Sequence, residues 1–392
     1  MCYCACLQIP GGLLADRFGG KWLFGGCILL SSVASLLSPA AARLHLGAFL
    51  LLRIVSGLGA GFLFPALHAL VARWSAPANR SFHVALLIVG TNVGVVVGML
   101  ASGVLCDHGF AGGWPSVFYV FGAAGCLWAA AWFLVAASSP STHPRISPGE
   151  LRYWERAAGC RTYLVARPPT PWRRLLTSVP VWALALAFFA NDWGFYTMAT
   201  CISLFMHDVL GFDMTRNGAL SAVPFVAGGL MIPAGRLADW LRARGGGARL
   251  STSVVRKSFL ATGFLLSGGM LVLTGYAGCD RVLAVALVFL AVASTCVSCP
   301  VVAVNPLDLA PLHAGKVMGL ACFAANLAQI AAPHAVGVLT YRRSTRHEWQ
   351  TVFYLAAAVY AVGAVVFLLL GSGDRQQWDG AADKHNAKSA SL

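Results

Sequence analysis

Charge is what this sequence has least of. Only 11% of its residues are Asp, Glu, Lys or Arg, while 58% are hydrophobic and mean hydropathy is +0.71. A soluble domain carries roughly 25% charge, so most of this surface has to face lipid. The strand pattern of polar and apolar alternation is missing as well. Runs such as Val282 to Val304 are apolar on every side, which excludes barrel strands. Acidic residues are scarcer than basic ones: 14 Asp+Glu stand against 28 Lys+Arg, a net charge of +14. In a soluble chain that balance would suggest nucleic acid. Here the basic residues fall between apolar runs, where they set orientation, and no nucleic-acid partner is expected. No basic stretch precedes an apolar core at Met1-Cys2-Tyr3-Cys4, so no cleavable signal is evident. The Cys2-Cys4-Cys6 run and the Cys296/Cys299 pair lack polar flanks and a second ligand pair. They read as small apolar filler, not metal ligands. Paired carboxylates and nucleophile–base sets are lacking too, so neither an enzyme nor a bound cofactor is expected.

What is present is a succession of apolar segments, each near the roughly 20 residues that span a bilayer. Eleven are legible, at 1–14 (short), 21–41, 46–71, 82–105, 115–137, 178–205, 217–238, 257–277, 282–304, 317–340 and 350–371. The expected fold is an all-α membrane protein of two bundles. Residues 1–137 form the first, a Pro- and Arg-rich linker follows at 138–177, and 178–371 form the second. The polar tail, 372–392, is expected to be disordered and cytosolic.

An internal repeat relates the halves. Gly12-Leu13-Leu14-Ala15-Asp16-Arg17 precedes Lys21 and an apolar run; Gly235-Arg236-Leu237-Ala238-Asp239-Trp240 precedes Arg256-Lys257 and another. Five segments plus six is the pattern of two six-helix bundles without the first helix, and that is the expectation carried forward. With the repeated loops on the cytosolic side, 21 Lys and Arg lie in the cytosol, 6 on the opposite side and Arg53 within a segment. This satisfies the positive-inside rule. The sequon Asn79-Arg80-Ser81 then lies in the cytosol and should be unused.

The repeated loop needs a short charged turn between two helices. Gly12 permits close helix approach, Asp16 caps the next helix or pairs with a base across the bundle, and Arg17 and Lys21 stay at the surface. As function it is a gate latch shared with Arg236 and Asp239; as structure alone it is a topology-setting loop. It resembles the signature of the major facilitator superfamily. Further runs are similar to the organic-anion branch containing sialin, the vesicular glutamate transporters and the type I phosphate cotransporters. They are Gln8-Ile9-Pro10-Gly11-Gly12, Phe64-Pro65-Ala66-Leu67-His68-Ala69, Arg80-Ser81, Gly113-Trp114-Pro115-Ser116-Val117-Phe118-Tyr119, Pro171-Trp172, Trp193-Gly194-Phe195-Tyr196, Leu307-Asp308-Leu309-Ala310-Pro311 and Glu348-Trp349-Gln350-Thr351-Val352-Phe353-Tyr354. The likeness runs from about residue 8 to 378, closest to the sialin side. It implies a twelve-helix rocker-switch carrier of small organic anions, driven by protons, membrane potential or sodium. The membrane would be lysosomal, vesicular or the plasma membrane, and the carrier a monomer.

Arg53 is the sharpest single residue, a lone cation in the apolar run from Ala48 to Leu70. Mid-bilayer charge costs about 2.5–3.5 kcal/mol on insertion scales, so it has to face water or a partner. A guanidinium fork suits a carboxylate or phosphate, and the resemblance implies a role for this arginine in anion transport. Snorkelling to headgroups one turn into the helix is the bland reading. His68 follows on the same broad helix face and titrates in the range of a pH gradient; a hydrogen-bonded structural histidine is the alternative. The resemblance also marks departures. Ser56 and Ala60 stand where sialin-like carriers bear glutamates tied to proton coupling, and Asn191 stands where glutamate transporters have arginine. Pro306 replaces the family's usual histidine beside Asn305 and Asp308, two further gate candidates. Asp192 is the one acid well inside an apolar segment, a substitute proton carrier, a counter-ion to Arg53 or an interior hydrogen-bonding group. Trp193 and Tyr196 either line the cavity with Asn191 or pack. Gly90, Gly94 and Gly98 read as a helix-packing face. The competing functions are a non-transporting receptor on the same scaffold and an inactive truncated fragment.

Overall fold

In the computed structural model the described residues are 8–380, excluding 9, 16–17, 76–78, 111, 151, 153–169, 209–226, 244–250, 278–279 and 342–344. Among them the ordered elements are helical. Residues 10–15 form a helical turn. Four long helices follow: α1 (Gly20–Leu44), α2 (Leu46–Trp74), α3 (Arg80–His108) and α4 (Trp114–Val135). The second half comprises α5 (Val179–Asp208), α6 (Met231–Ala243), α7 (Thr252–Tyr276), α8 (Arg281–Leu309), α9 (Ala314–Thr340) and α10 (Arg346–Leu370). Eight of these, α1–α4 and α7–α10, are long and apolar enough to cross a bilayer.

Local chemistry sets the corners. His45 is extended between α1 and α2, and its Nδ1 accepts from the Gly47 amide at 3.0 Å. Asp280 caps α8 by accepting from the Val282 and Leu283 amides, both at 3.0 Å, and Ser251 caps α7 through the Val254 amide at 3.2 Å. Gly113, at φ 89°, turns the chain into α4, where Pro115 suits the first helical turn.

The packing repeats between halves. α1 lies against α2 and α4, as α7 lies against α8 and α10. Across the interface α3 meets α6 and α8, while α2 meets α9. One continuous core fills the second half and takes in Val71, Ala72, Val84 and Ala85 from the first.

Two expectations change here. The glycine face of α3 meets no packing partner among the described residues: a Cβ at Gly90, Gly94 or Gly98 would have no described atom within 4 Å. The tail, expected to be disordered from 372, is instead folded through Gly380. Gln377–Gly380 form a 3-10 turn, and the Gln376 amide donates to the Leu309 carbonyl at 2.8 Å. Asp379 is buried against His313, with Nδ1 at 2.9 Å, and accepts from Arg375 Nε at 2.9 Å. Polar composition suggested a solvated chain, but these side chains find partners on the loop between α8 and α9.

Candidate functional site

Polar contacts join the halves at one end of the bundle, the end where the repeated motif lies on α6. Arg256, in the second turn of α7, is 1% exposed. Its Nε and Nη2 donate to Asp308 Oδ2 at 2.9 and 2.7 Å, and its Nη1 reaches across to Ser81 Oγ at 2.9 Å. A planar fork with several fixed donors suits this shared recognition. Arg242 stands 3.9 Å from Asp308 and 3.7 Å from Asp239. Asp239 Oδ2 accepts from the Phe82 amide at 2.9 Å, placing a carboxylate at the N-terminus of α3. The Arg236 guanidinium covers the Phe82 ring at 4.3 Å. Arg80 Nη1 donates to the Leu307 carbonyl at 3.1 Å.

The motif glycines sit where backbones nearly touch. A Cβ on Gly235 would lie 2.8 Å from the Ser81 carbonyl, and one on Gly12 only 2.5 Å from the Gly315 carbonyl. Each motif glycine thus meets the start of a helix in the opposite half, α3 in one case and α9 in the other. The repeat read in the sequence is therefore a repeat of contacts.

His68 belongs to this end too. Buried to 4% exposure, it has Nε2 3.1 Å from the Ala303 carbonyl of α8 and Nδ1 3.0 Å from the Phe64 carbonyl. Both neighbours are acceptors, so a neutral ring satisfies one and only the doubly protonated ring donates to both. Fifteen residues at 1.5 Å each put it about 22 Å along α2 from Arg53. A shared face does not make a shared site. His68 is a contact between halves, apart from the other residues expected to bind substrate.

Four gate expectations fare differently. Asp16 and Arg17 lie outside the described residues. Among the described residues the contacts of Lys21 are to its own half, with Nζ 5.3 Å from the Trp22 ring and its carbonyl accepting from Trp132 Nε1 at 3.0 Å. Asn305 is fully buried in α8, yet neither side-chain polar atom has a partner among the described residues.

A second cluster lies midway along α5. Asp192 Oδ1 accepts from Asn191 Nδ2 at 3.2 Å, and Oδ2 accepts from Gln329 Nε2 of α9 at 3.0 Å. Tyr196, Tyr360, Cys299 and Cys322 lie within electrostatic reach of this carboxylate. The counter-ion expectation fails in this conformation: the described contacts of Asp192 are amides, and those of Arg53 are rings. Trp193 packs into the core beside Phe189, centroids 5.7 Å apart, and Tyr196 stands edge-on to Phe195 at 5.5 Å.

Arg53, exposed in the second turn of α2, rests 4.6 Å from the Phe118 ring of α4 and 5.2 Å from the Phe49 ring. Aromatic faces hold a guanidinium while leaving its in-plane donors open to an anion.

The sequence profile of the Major Facilitator Superfamily matches residues 2–254. The chain belongs to the Major Facilitator Superfamily. Relatives place it in the sialin-like branch. It is 39% identical to the uncharacterized transporter slc-17.2 of Caenorhabditis elegans over 95% of this chain and 75% of that one. Against human sialin identity is 38%, covering 95% and 73%. Against mouse vesicular glutamate transporter 2 it is 36% over 95% of this chain, which spans only 63% of that relative's length. The fold matches the proton:xylose symporter XylE at a TM-score of 0.73 and 15% identity, covering 97% of this chain and 86% of that one. This facilitator is thus a multi-pass membrane protein whose relatives are transporters, not enzymes.

Sequence reading missed Arg256, Arg242, Ser81 and Gln329 as site residues. Arg256 had appeared only as the basic end of a loop. Gln329 has one available signal, an amide beside Asn326 in an apolar run, but nothing in the sequence says that it meets Asp192.

Proposed function

We propose that this facilitator carries small organic anions across its membrane by alternating access, as a secondary active transporter. The observation that carries the reading is the polar latch between halves, Arg256 to Ser81 and Asp239 to the Phe82 amide. Such contacts close one end of a central path and have to break before that end opens. The positive-inside count makes that end cytosolic. Arg53 is the anion-receiving group, because a guanidinium set against two rings keeps its charge available for a carboxylate. The names of its relatives, sialin and vesicular glutamate transporter, support a small acidic cargo.

Coupling falls to Asp192 and His68. Asp192 stands in for the glutamates replaced by Ser56 and Ala60. His68, once doubly protonated, donates both to the Ala303 carbonyl across the interface and to the Phe64 carbonyl of its own helix. Uptake of labelled sialic acid, glutamate and phosphate into proteoliposomes, with and without pH and sodium gradients, tests the reading. Saturable uptake of one anion is expected, lost in Arg53→Ala and partly kept in Arg53→Lys. Uptake unchanged in Arg53→Ala would remove the assigned role of Arg53.

A further inference from the structure

The chain beyond α10 is tied to the two helices that carry the latch ion pair. Arg256 lies in the second turn of α7, and Asp308 is the penultimate residue of α8. Residues 277–280 join these helices at the far end, whereas at the latch end no covalent link holds α7 against α8. Residues 372–380 cross that open end. The Gly373 amide donates to Ser253 Oγ at 2.8 Å, and Ser253 Oγ donates to Asp374 Oδ2 at 2.7 Å. Ser253 stands one turn before Arg256 on α7. Further along, the Gln376 amide donates at 2.8 Å to the carbonyl of Leu309, the residue after Asp308. Asp379 anchors the segment to the loop before α9, accepting from His313 Nδ1 at 2.9 Å and from the Leu312 amide at 3.4 Å. Trp378 is buried beside the His313 ring, with centroids 6.1 Å apart.

The latch depends on the register of α7 and α8. Arg256 holds Asp308 Oδ2 at 2.9 and 2.7 Å while reaching Ser81 Oγ of the opposite half at 2.9 Å. Splaying of α7 from α8 by about 1 Å takes such contacts out of hydrogen-bonding range. Every bond of residues 372–380 given above lies within the second half. Their route to the interface is therefore through Arg256 and Asp308.

We propose that residues 372–380 are a strap that sets how readily the cytosolic end opens, with Ser253, Asp374 and Asp379 as positioning residues for the Arg256–Asp308 pair. This role rests on the reading of the interface as a gate. With the strap docked, α7 and α8 present one fixed fork to Ser81. With it undocked, α7 can part from α8 and the bond to Ser81 loses its fixed donor.

The test is hydrogen exchange of the full chain in nanodiscs, read on two peptides. One covers 372–380 and reports strap docking; the other begins at Arg80 and reports the Phe82 amide, whose bond to Asp239 spans the halves. Ser253→Ala removes both the acceptor of the Gly373 amide and the donor to Asp374. It leaves α7 itself intact, because Ser251 caps that helix and alanine is the better helix former. Exchange in 372–380 should rise about tenfold, and exchange at Phe82 by more than about twofold. Ser253→Thr, which keeps the hydroxyl, should restore both. Asp374→Ala, which changes no residue of α7, is the second variant and should raise both in the same direction. A rise in 372–380 with Phe82 changed by less than about twofold overturns the proposal. So does an unchanged 372–380 in both alanine variants, or a Ser253→Thr variant no better protected than Ser253→Ala. Ser81→Ala separates the two readings. If it exposes Phe82 and the strap variants do not, the gate stands and the strap's role falls. If Phe82 stays protected in all of them, the gate reading falls and the strap's role falls with it.

Discussion

Replacing Ser81 with alanine should loosen the latch without unfolding the protein. Ser81 is fully buried, and its Oγ accepts from Arg256 Nη1 at 2.9 Å. A hydrogen bond to a charged group contributes about 1.5–3 kcal/mol, and 1.4 kcal/mol is a factor of ten in an equilibrium. Arg256 keeps both bonds to Asp308 in the variant, so no guanidinium is left bare and the lower half of that range applies. Opening of this end should therefore become about 10- to 40-fold more frequent. The Phe82 amide reports it directly, because its bond to Asp239 spans the two halves. Hydrogen exchange of a peptide beginning at Arg80, corrected for intrinsic rates, should rise by that factor. Exchange in the α7–α10 core should stay unchanged. A change under twofold at Phe82 in a folded variant would show that these contacts do not control the interface. A uniform rise in every helix would show general destabilisation instead.

Three further outcomes follow from the same geometry. Gly235→Ala places a Cβ 2.8 Å from the Ser81 carbonyl. Overpacking of this kind costs about 1–3 kcal/mol, so the variant should expose the Phe82 amide as Ser81→Ala does and slow uptake. Asp379→Ala strips His313 and Arg375 of a buried acceptor. The loss of about 1.5–3 kcal/mol should lower the unfolding midpoint by several degrees, measurable by scanning fluorimetry, whereas an unchanged midpoint would leave the folded tail without a structural role. Gly194→Ala drives a methyl group into the Tyr360 ring and its hydroxyl. It should separate α5 from α10 and reduce yield of folded protein on size-exclusion chromatography more than Gly90→Ala, where no described atom lies within 4 Å.

Much of the architecture was legible before any coordinates. Segments read at 46–71 and 82–105 are helices Leu46–Trp74 and Arg80–His108. The drift is at the ends, where Arg73, Trp74 and Arg80 continue the helix although they are not lipid-facing apolar residues. Asp239, Asp308 and Arg236 were legible as latch candidates because charge is so rare that each ion in or beside an apolar run demands a reason. Their partners were not legible. Arg256 meets Ser81 across 175 positions and His68 meets Ala303 across 235. Helical periodicity places a side chain on a face but says nothing of which helix stands opposite.

Composition and apolar run length determined that this chain lies in a membrane as helices, since lipid leaves no other way to satisfy so many backbone groups. The repeated Gly-to-Asp motif determined that two similar halves exist. Tertiary structure decided the rest: that Arg53 lies on aromatic rings, that Asp192 is met by amides and not by a cation, and that His68 is a contact between halves. The physical reason is range. Hydropathy acts residue by residue along the chain, whereas a hydrogen bond between buried polar groups exists only when two distant segments arrive within about 3 Å.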